Sequence, residues 1–304
     1  VESSALTADH WVSRGLQANF ANVEKRVAVL DVASGRIVAS DRPVRSNFRE
    51  IGFTTFLRDG VRDDVLERVF NYVEQSVLNQ IRRVDVSNCG PKLKAAVANL
   101  FSIHLVRSPS YKAFHADIVR TFAGSRVGEV AASSELSQRF ERHTGRAPVE
   151  GELQDLAASQ FEAISQDPLT LVRSMTHHHD VMAEKLNRFH MQVIEIDPML
   201  PGLVLGDTPI VHASSASGRY GFRDRLALDE ADLVVGPLTR RVAACFTVEP
   251  LPPVVVRTKE LVDQINAVFI RAASAEVACH PDDALATRQL HGRLDRLPSP
   301  FGVR

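Results

Sequence analysis

Cysteine is scarce in this chain: Cys89, Cys245 and Cys279 are three among 304 residues, widely spaced and without a CxxC pair. That speaks against a disulfide framework and against a zinc knuckle, and makes reduced cytoplasmic thiols the expectation. Net charge is scarce as well. Lys plus Arg is 36 against 37 Asp plus Glu, a balance of -1, so no global basic surface attracts nucleic acid or anionic lipid. Lysine stands only at positions 25, 92, 94, 112, 185 and 259, an arginine bias that GC-rich bacterial coding explains. No apolar run approaches the roughly 20 residues that span a bilayer, and Val1 to His10 has neither the basic head nor the apolar body of a signal peptide, so no membrane partner is expected. HExxH, a P-loop, GxSxG and a Cys-His signature are all missing, which removes the commonest hydrolase, nucleotide-binding and thiol chemistries. No motif encodes an oligomeric state.

What is present is apolar residues enough for a sizeable core, 44% of the chain. No internal repeat or low-complexity linker divides them. The expectation is one α+β domain over residues 1–297, predominantly helical with a small, mostly antiparallel sheet, followed by a disordered tail at 298–304.

Two short β-prone runs, 26–31 and 36–40, flank a turn ending in Gly35 and predict a hairpin. From Val61 to Ile81 apolar residues recur every four positions, the stripe of an amphipathic helix, and Glu74 lies on it between Phe70 and Leu78. A second helix is expected from Pro91 to before Pro109, with His104 on its apolar face and Arg107 a turn further on. Further helices are expected over 111–165, broken near His143–Pro148. A helix from about Pro168 to Phe189 has a stripe whose gap is filled by His178 and His179, of which at least one faces inward.

At 187–214 the pattern turns from helical to extended, and Gly206-Asp207-Thr208-Pro209 interrupts it with an acid, a hydroxyl and a proline that forces its predecessor into an extended or turn conformation. Ser217 to Phe222 reads as a glycine-containing flexible loop that does not match GxGxxG. A second hairpin is expected over 232–247, sharing one sheet with the first and with the strands around Asp207. A helix capped by Thr258 should run to about Ala273, a short strand follows at 275–279, and the rest beyond Pro281 reads as a polar tail.

The order of these pieces resembles the bacterial family called domain of unknown function 4238. The motifs are His10-Trp11-Val12 with Asn19-Phe20, the hairpin, Phe53-Thr54-Thr55, a helix with an inward glutamate at Glu74, Arg107-Ser108-Pro109, Gly206-Asp207-Thr208-Pro209-Ile210, Pro237-Leu238-Thr239 and Asn266 in the last helix. Ser13 departs from the proline usual in the family, and Gln17 from an apolar residue. The resemblance spans roughly residues 10 to 280 and implies an architecture and candidate positions, His10 and Asn266 among them as binding residues, without an activity.

Two functions remain open. In the first, Glu74, His104, Arg107 and Asp207 converge on a cleft and catalyse hydrolysis of a phosphodiester, with Arg107 clamping the anion and His104 or His178 moving a proton; Glu74, Asp207 and His178 would be ligands for a divalent metal ion. Consecutive helical residues point about 100 degrees apart, so the His177 to Asp180 run cannot serve one ion together. In the second, these inward groups satisfy one another as a structural network inside a non-catalytic binding or regulatory module. Asp207 separates the two, because an aspartate in a turn is expected to stay reachable.

Overall fold

A computed structural model describes residues 8–58, 61–81, 90–252 and 254–297. The fold is α+β and predominantly helical, and it divides into two compact units: residues 1–111 with 175–304, and residues 112–174. The boundaries fall inside two helices, Pro109–Ala131 and Pro168–Arg188. The expected disordered tail, 298–304, lies outside the described residues, as does Cys89.

The larger unit opens with β1 (Ala8–His10) and the short helix α1 (Arg14–Ala18), whose N-cap Ser13 accepts a hydrogen bond from the Leu16 N–H. β2 (Arg26–Asp31) and β3 (Arg36–Pro43) form the expected hairpin, with register shifts between Val27 and Leu30. β4 (Arg49–Ile51) pairs with β1, and β5 (Phe56–Arg58) with β6 (Val61–Asp63). The helix expected from Val61 starts later, as α2 (Val65–Ile81), because 61–63 is spent on β6. Its buried face is also turned from the expected stripe. Val65 and Val69 are exposed, while Leu66, Phe70, Glu74, Val77, Leu78 and Ile81 face inward. α3 (Pro91–Val106) packs on α2 and is buried on almost every side of its C-terminal half.

The chain then enters α4 (Pro109–Ala131), α5 (Ser134–Thr144), α6 (Glu152–Gln166) and α7 (Pro168–Arg188). The smaller unit has its own apolar cluster, Ala131, Leu136 and Ala157 with Val127, Val130, Leu153 and Leu156 around them. α5 is capped by Ser133 and ends in Gly145, which takes a left-handed φ of 74°. The expected break follows, and Arg146 donates to Glu152 at the start of α6.

Back in the larger unit come β7 (His190–Ile196), β8 (Leu205–Gly206), β9 (Val211–Ala213), β10 (Leu233–Pro237), β11 (Val242–Thr247) and β12 (Val254–Val256). Last are α8 (Lys259–Ala272), β13 (Glu276–Cys279) and α9 (Ala284–His291). The expectation of one shared sheet fails. The 233–247 hairpin belongs to a five-stranded sheet, β12-β7-β11-β10-β9, and the N-terminal hairpin to a four-stranded one, β3-β2-β13-β8. The first and last thirds do meet there, since β13 lies between β2 and β8. The polar tail expected after Pro281 is instead a 3-10 turn and α9, with Leu290 buried in the main core. Thr258 stands at the N-cap of α8, but its side chain makes no capping bond.

Residues from both sheets, among them Val27, Val29, Leu205, Val235, Ala243 and Val277, form one core with α1 and α8. Gly206 permits a close approach of backbone to backbone: a Cβ there would stand 3.1 Å from the Phe269 carbonyl oxygen and 3.2 Å from the Ala273 Cβ. β8 can therefore lie directly on the end of α8, which sets the position of Asp207. No helix among the described residues is long and apolar enough to cross a membrane.

Candidate functional site

Glu74 and His104 come together because α2 and α3 pack against each other and both groups lie on the buried faces. Glu74 is 3% exposed and His104 is 0% exposed, with Glu74 Oε1 and His104 Nε2 3.8 Å apart. Arg107, at the C-cap of α3 and 1% exposed, closes the group: Nη1 donates to Glu74 Oε1 at 3.2 Å and Nη2 to Glu67 Oε2 at 2.5 Å. Glu67 stands two turns before Glu74 on the same helix, so one guanidinium spans two carboxylates. Its plane also lies over the Phe70 ring, 5.6 Å from the centroid.

The network continues outward from Glu67. Its Oε2 accepts from the Thr54 hydroxyl at 2.7 Å, and the backbone N–H groups of Thr54 and Thr55 donate to Asp9 Oδ2 at 2.9 and 2.8 Å. Thr55 adds its hydroxyl to Asp9 Oδ1 at 3.0 Å. The Phe53-Thr54-Thr55 segment is thereby tied to α2 and α3.

Burial raises the Glu74 carboxyl to about 7, with Arg107 pulling it down and Glu67 pushing it further up. Burial, then the Arg107 charge, lowers His104 to about 3, so its ring is neutral. The His104 ring nitrogens make no hydrogen bond, and neither does Arg107 Nε.

Asp207 departs from the expectation of a reachable turn acid. It is 2% exposed, and its carboxylate accepts three backbone N–H groups: Ser274 at 2.6 Å, Ala275 at 2.6 Å and Glu276 at 3.1 Å. It splices the start of β13 to the end of β8. Burial raises its pKa, and the three backbone donors work the other way. Asn266 is spent in the same fashion, accepting from Val204 N–H at 3.0 Å and donating to the Gly202 carbonyl at 2.9 Å.

His10 is half-buried on β1, with Nε2 3.1 Å from the Arg45 carbonyl; burial lowers its pKa. His178 pairs with Tyr111, Nδ1 to the phenol oxygen at 2.6 Å, and His179 Nδ1 lies 3.1 Å from Asp180. The structure thus unites Glu74, His104 and Arg107. Asp207 and His178 are held by other partners. Among the described residues no group of three or more His, Cys, Asp or Glu side chains is placed to hold a metal ion, so the donor set does not fit the expected Glu74, Asp207 and His178 site.

A feature that periodicity missed is a small cleft lined by Ser110, Thr208, His212, Phe222, Arg223 and Ala272, with Ile210, Val211, Tyr220 and Gly221 completing its wall. Its interior has room for roughly one water molecule. Ser110 Oγ links Thr208 Oγ1 at 3.0 Å and Ser274 Oγ at 2.9 Å. The Phe222 ring lies against Tyr111 and His212, with centroids 5.4 and 4.5 Å away. The signal available in the sequence was the Ser217 to Phe222 loop, whose Gly218 and Gly221 both take positive φ.

A family model described as "Protein of unknown function (DUF4238)" matches residues 9–283. No curated protein and no solved structure matches the chain.

Proposed function

The chain belongs to the DUF4238 family, defined without an activity, and from that premise we propose that it is a non-catalytic binding or regulatory module. In this reading Glu74, His104, Arg107 and Asp207 hold the fold together. One observation carries it. The charged groups among the four, Glu74, Arg107 through Nη1 and Nη2, and Asp207, are hydrogen-bonded to protein atoms while being no more than 3% exposed, which speaks against their being presented to a substrate. A bacterial cytoplasmic setting suits the free, buried thiols Cys245 and Cys279.

A phosphodiester hydrolase keeps one supporting observation, the Glu74 carboxyl at about 7, where a general acid or base works best at neutral pH. There Glu74 would pass the proton and Arg107 would clamp the phosphate, but Arg107 must first release both Glu67 and Glu74. The test is hydrolysis of bis(4-nitrophenyl) phosphate with Mg²⁺, Mn²⁺ or Zn²⁺. The binding module predicts the buffer rate for wild type and Glu74→Gln alike. A wild-type rate above buffer that disappears in Glu74→Gln would establish the hydrolase instead.

A further inference from the structure

The β1–β4 ribbon sorts its charges by face. The two strands pair Ala8 with Ile51, Asp9 with Glu50 and His10 with Arg49. Successive strand residues point to opposite sides, so Asp9 and Glu50 share one face while His10, Arg49 and Ile51 share the other. Asp9 is turned inward onto Thr54 and Thr55, whereas Ala8, Arg49 and Ile51 are exposed, which makes the basic face the outer one. Two further arginines border it. His10 Nε2, 3.1 Å from the Arg45 carbonyl, ties the 3-10 turn Val44–Ser46 to β1, and α1, which packs on that turn, opens with Arg14. Burial and then the charges of Arg14, Arg107 and Arg49 hold the His10 pKa down, so these cations stand within electrostatic reach of its ring.

Arg14, Arg45 and Arg49 are exposed, and among the described residues none of their side chains makes a hydrogen bond or an ion pair. Neighbouring arginines are spent differently: Arg26 has Asp41, Arg42 has Glu276, and Arg107 has Glu67 and Glu74. Three like charges gathered without a counter-charge repel one another, and an anion lying across them relieves that repulsion. The net charge of -1 does not prevent it, because at physiological salt charges beyond about 8 Å are screened.

Resting on the binding-module reading, we propose that the outer face of the β1–β4 ribbon, with Arg14, Arg45 and Arg49, binds the phosphate backbone of duplex DNA without reading its bases. Each guanidinium fork fits one phosphate. Cations carried by three separate surface elements need a partner whose charge runs along a length, and duplex DNA carries one negative charge per about 1.7 Å of its axis. An anionic membrane offers charge too, but stable attachment there also takes buried apolar area, and Ile51 is the one large apolar side chain this ribbon face exposes.

Fluorescence anisotropy of short labelled duplexes, titrated with the full chain from about 50 to 200 mM NaCl, tests this. The expected result is saturable binding, equal for two unrelated sequences, with log Kd rising against log salt at a slope of about 2.7 for three phosphates. Arg14→Gln, Arg45→Gln and Arg49→Gln should each weaken binding about three- to tenfold and lower the slope by about 1. They should melt with wild type, because the changed side chains are exposed and unpaired. Arg139→Gln, which removes an arginine already paired with Glu135, should bind like wild type. Absence of duplex binding at the lowest salt would overturn the proposal, as would binding that survives all three substitutions or that falls equally in Arg139→Gln. Tighter binding to phosphatidylserine vesicles than to the duplex would overturn it as well. A gel of the titrated duplex separates this from the proposed function: intact strands agree with a non-catalytic module, and cleaved strands would overturn that reading while the affinities still decide the patch.

Discussion

Replacing Glu74 by Gln should change how stability depends on pH. The Glu74 carboxyl rises from 4.5 to about 7 because burial disfavours its charge more than Arg107 favours it. A carboxyl with a raised folded-state pKa binds its proton more tightly folded than unfolded. Its contribution is therefore fully present below pH 4.5 and is lost as pH rises to about 7. A rise from 4.5 to about 7 corresponds to about 3 kcal/mol. Glutamine mimics the protonated acid, and Arg107 keeps Glu67 as its ion-pair partner. Denaturant unfolding of both proteins from below pH 4.5 to about pH 8 should show near-equal stability in acid, with Glu74→Gln gaining up to about 3 kcal/mol relative to wild type above pH 7. A difference independent of pH, or one in which wild type gains as pH rises, would refute the reasoning.

Arg107→Met should cost about 3 to 5 kcal/mol at neutral pH, because it leaves Glu67 and Glu74 facing each other without a cation; a denaturation midpoint unchanged from wild type would count against the network. His104, lowered to about 3 by burial, should stay neutral across the neutral range, so its ring proton resonances should not titrate between about pH 5 and 8 while the protein is folded. Its stability contribution runs opposite to that of Glu74: it is present above pH 6.5 and lost as pH falls toward about 3. Cys245 and Cys279, buried and pushed up to about 12, should resist a thiol reagent in the native protein and react once it unfolds.

The inward polar groups were legible because helices repeat. Glu74 sits four residues from apolar neighbours on each side and His104 among a run of them, so periodicity alone placed both inside, with Arg107 a turn beyond His104. Glu67 escaped notice because it lies beside the exposed Val65 and Val69, and only the position of Arg107 gives it a role. Asp207 was misread for a different reason. Its partners lie at 274–276, 67 to 69 residues away, and no local pattern distinguishes a solvated turn aspartate from one that splices two strands. The hairpins were visible in their turns, whereas their assignment to separate sheets depends on β7 and β13, non-local pairings that alternation does not encode. α9 was missed because two turns of ALATRQLH bury only Thr287 and Leu290, too few positions to reveal a period.

The central claim, that the inward polar residues hold the fold together, is tested most directly at Asp207. Asparagine keeps the size of the side chain but offers one acceptor oxygen to three backbone N–H groups now shared by two. It also turns an NH₂ donor toward at least one of them. The account predicts that Asp207→Asn lowers unfolding free energy by about 2 to 3 kcal/mol, the scale of a lost charge-assisted hydrogen bond with a buried donor left unpaired. A wild-type denaturation midpoint in Asp207→Asn would contradict it and return Asp207 to the candidates for chemistry.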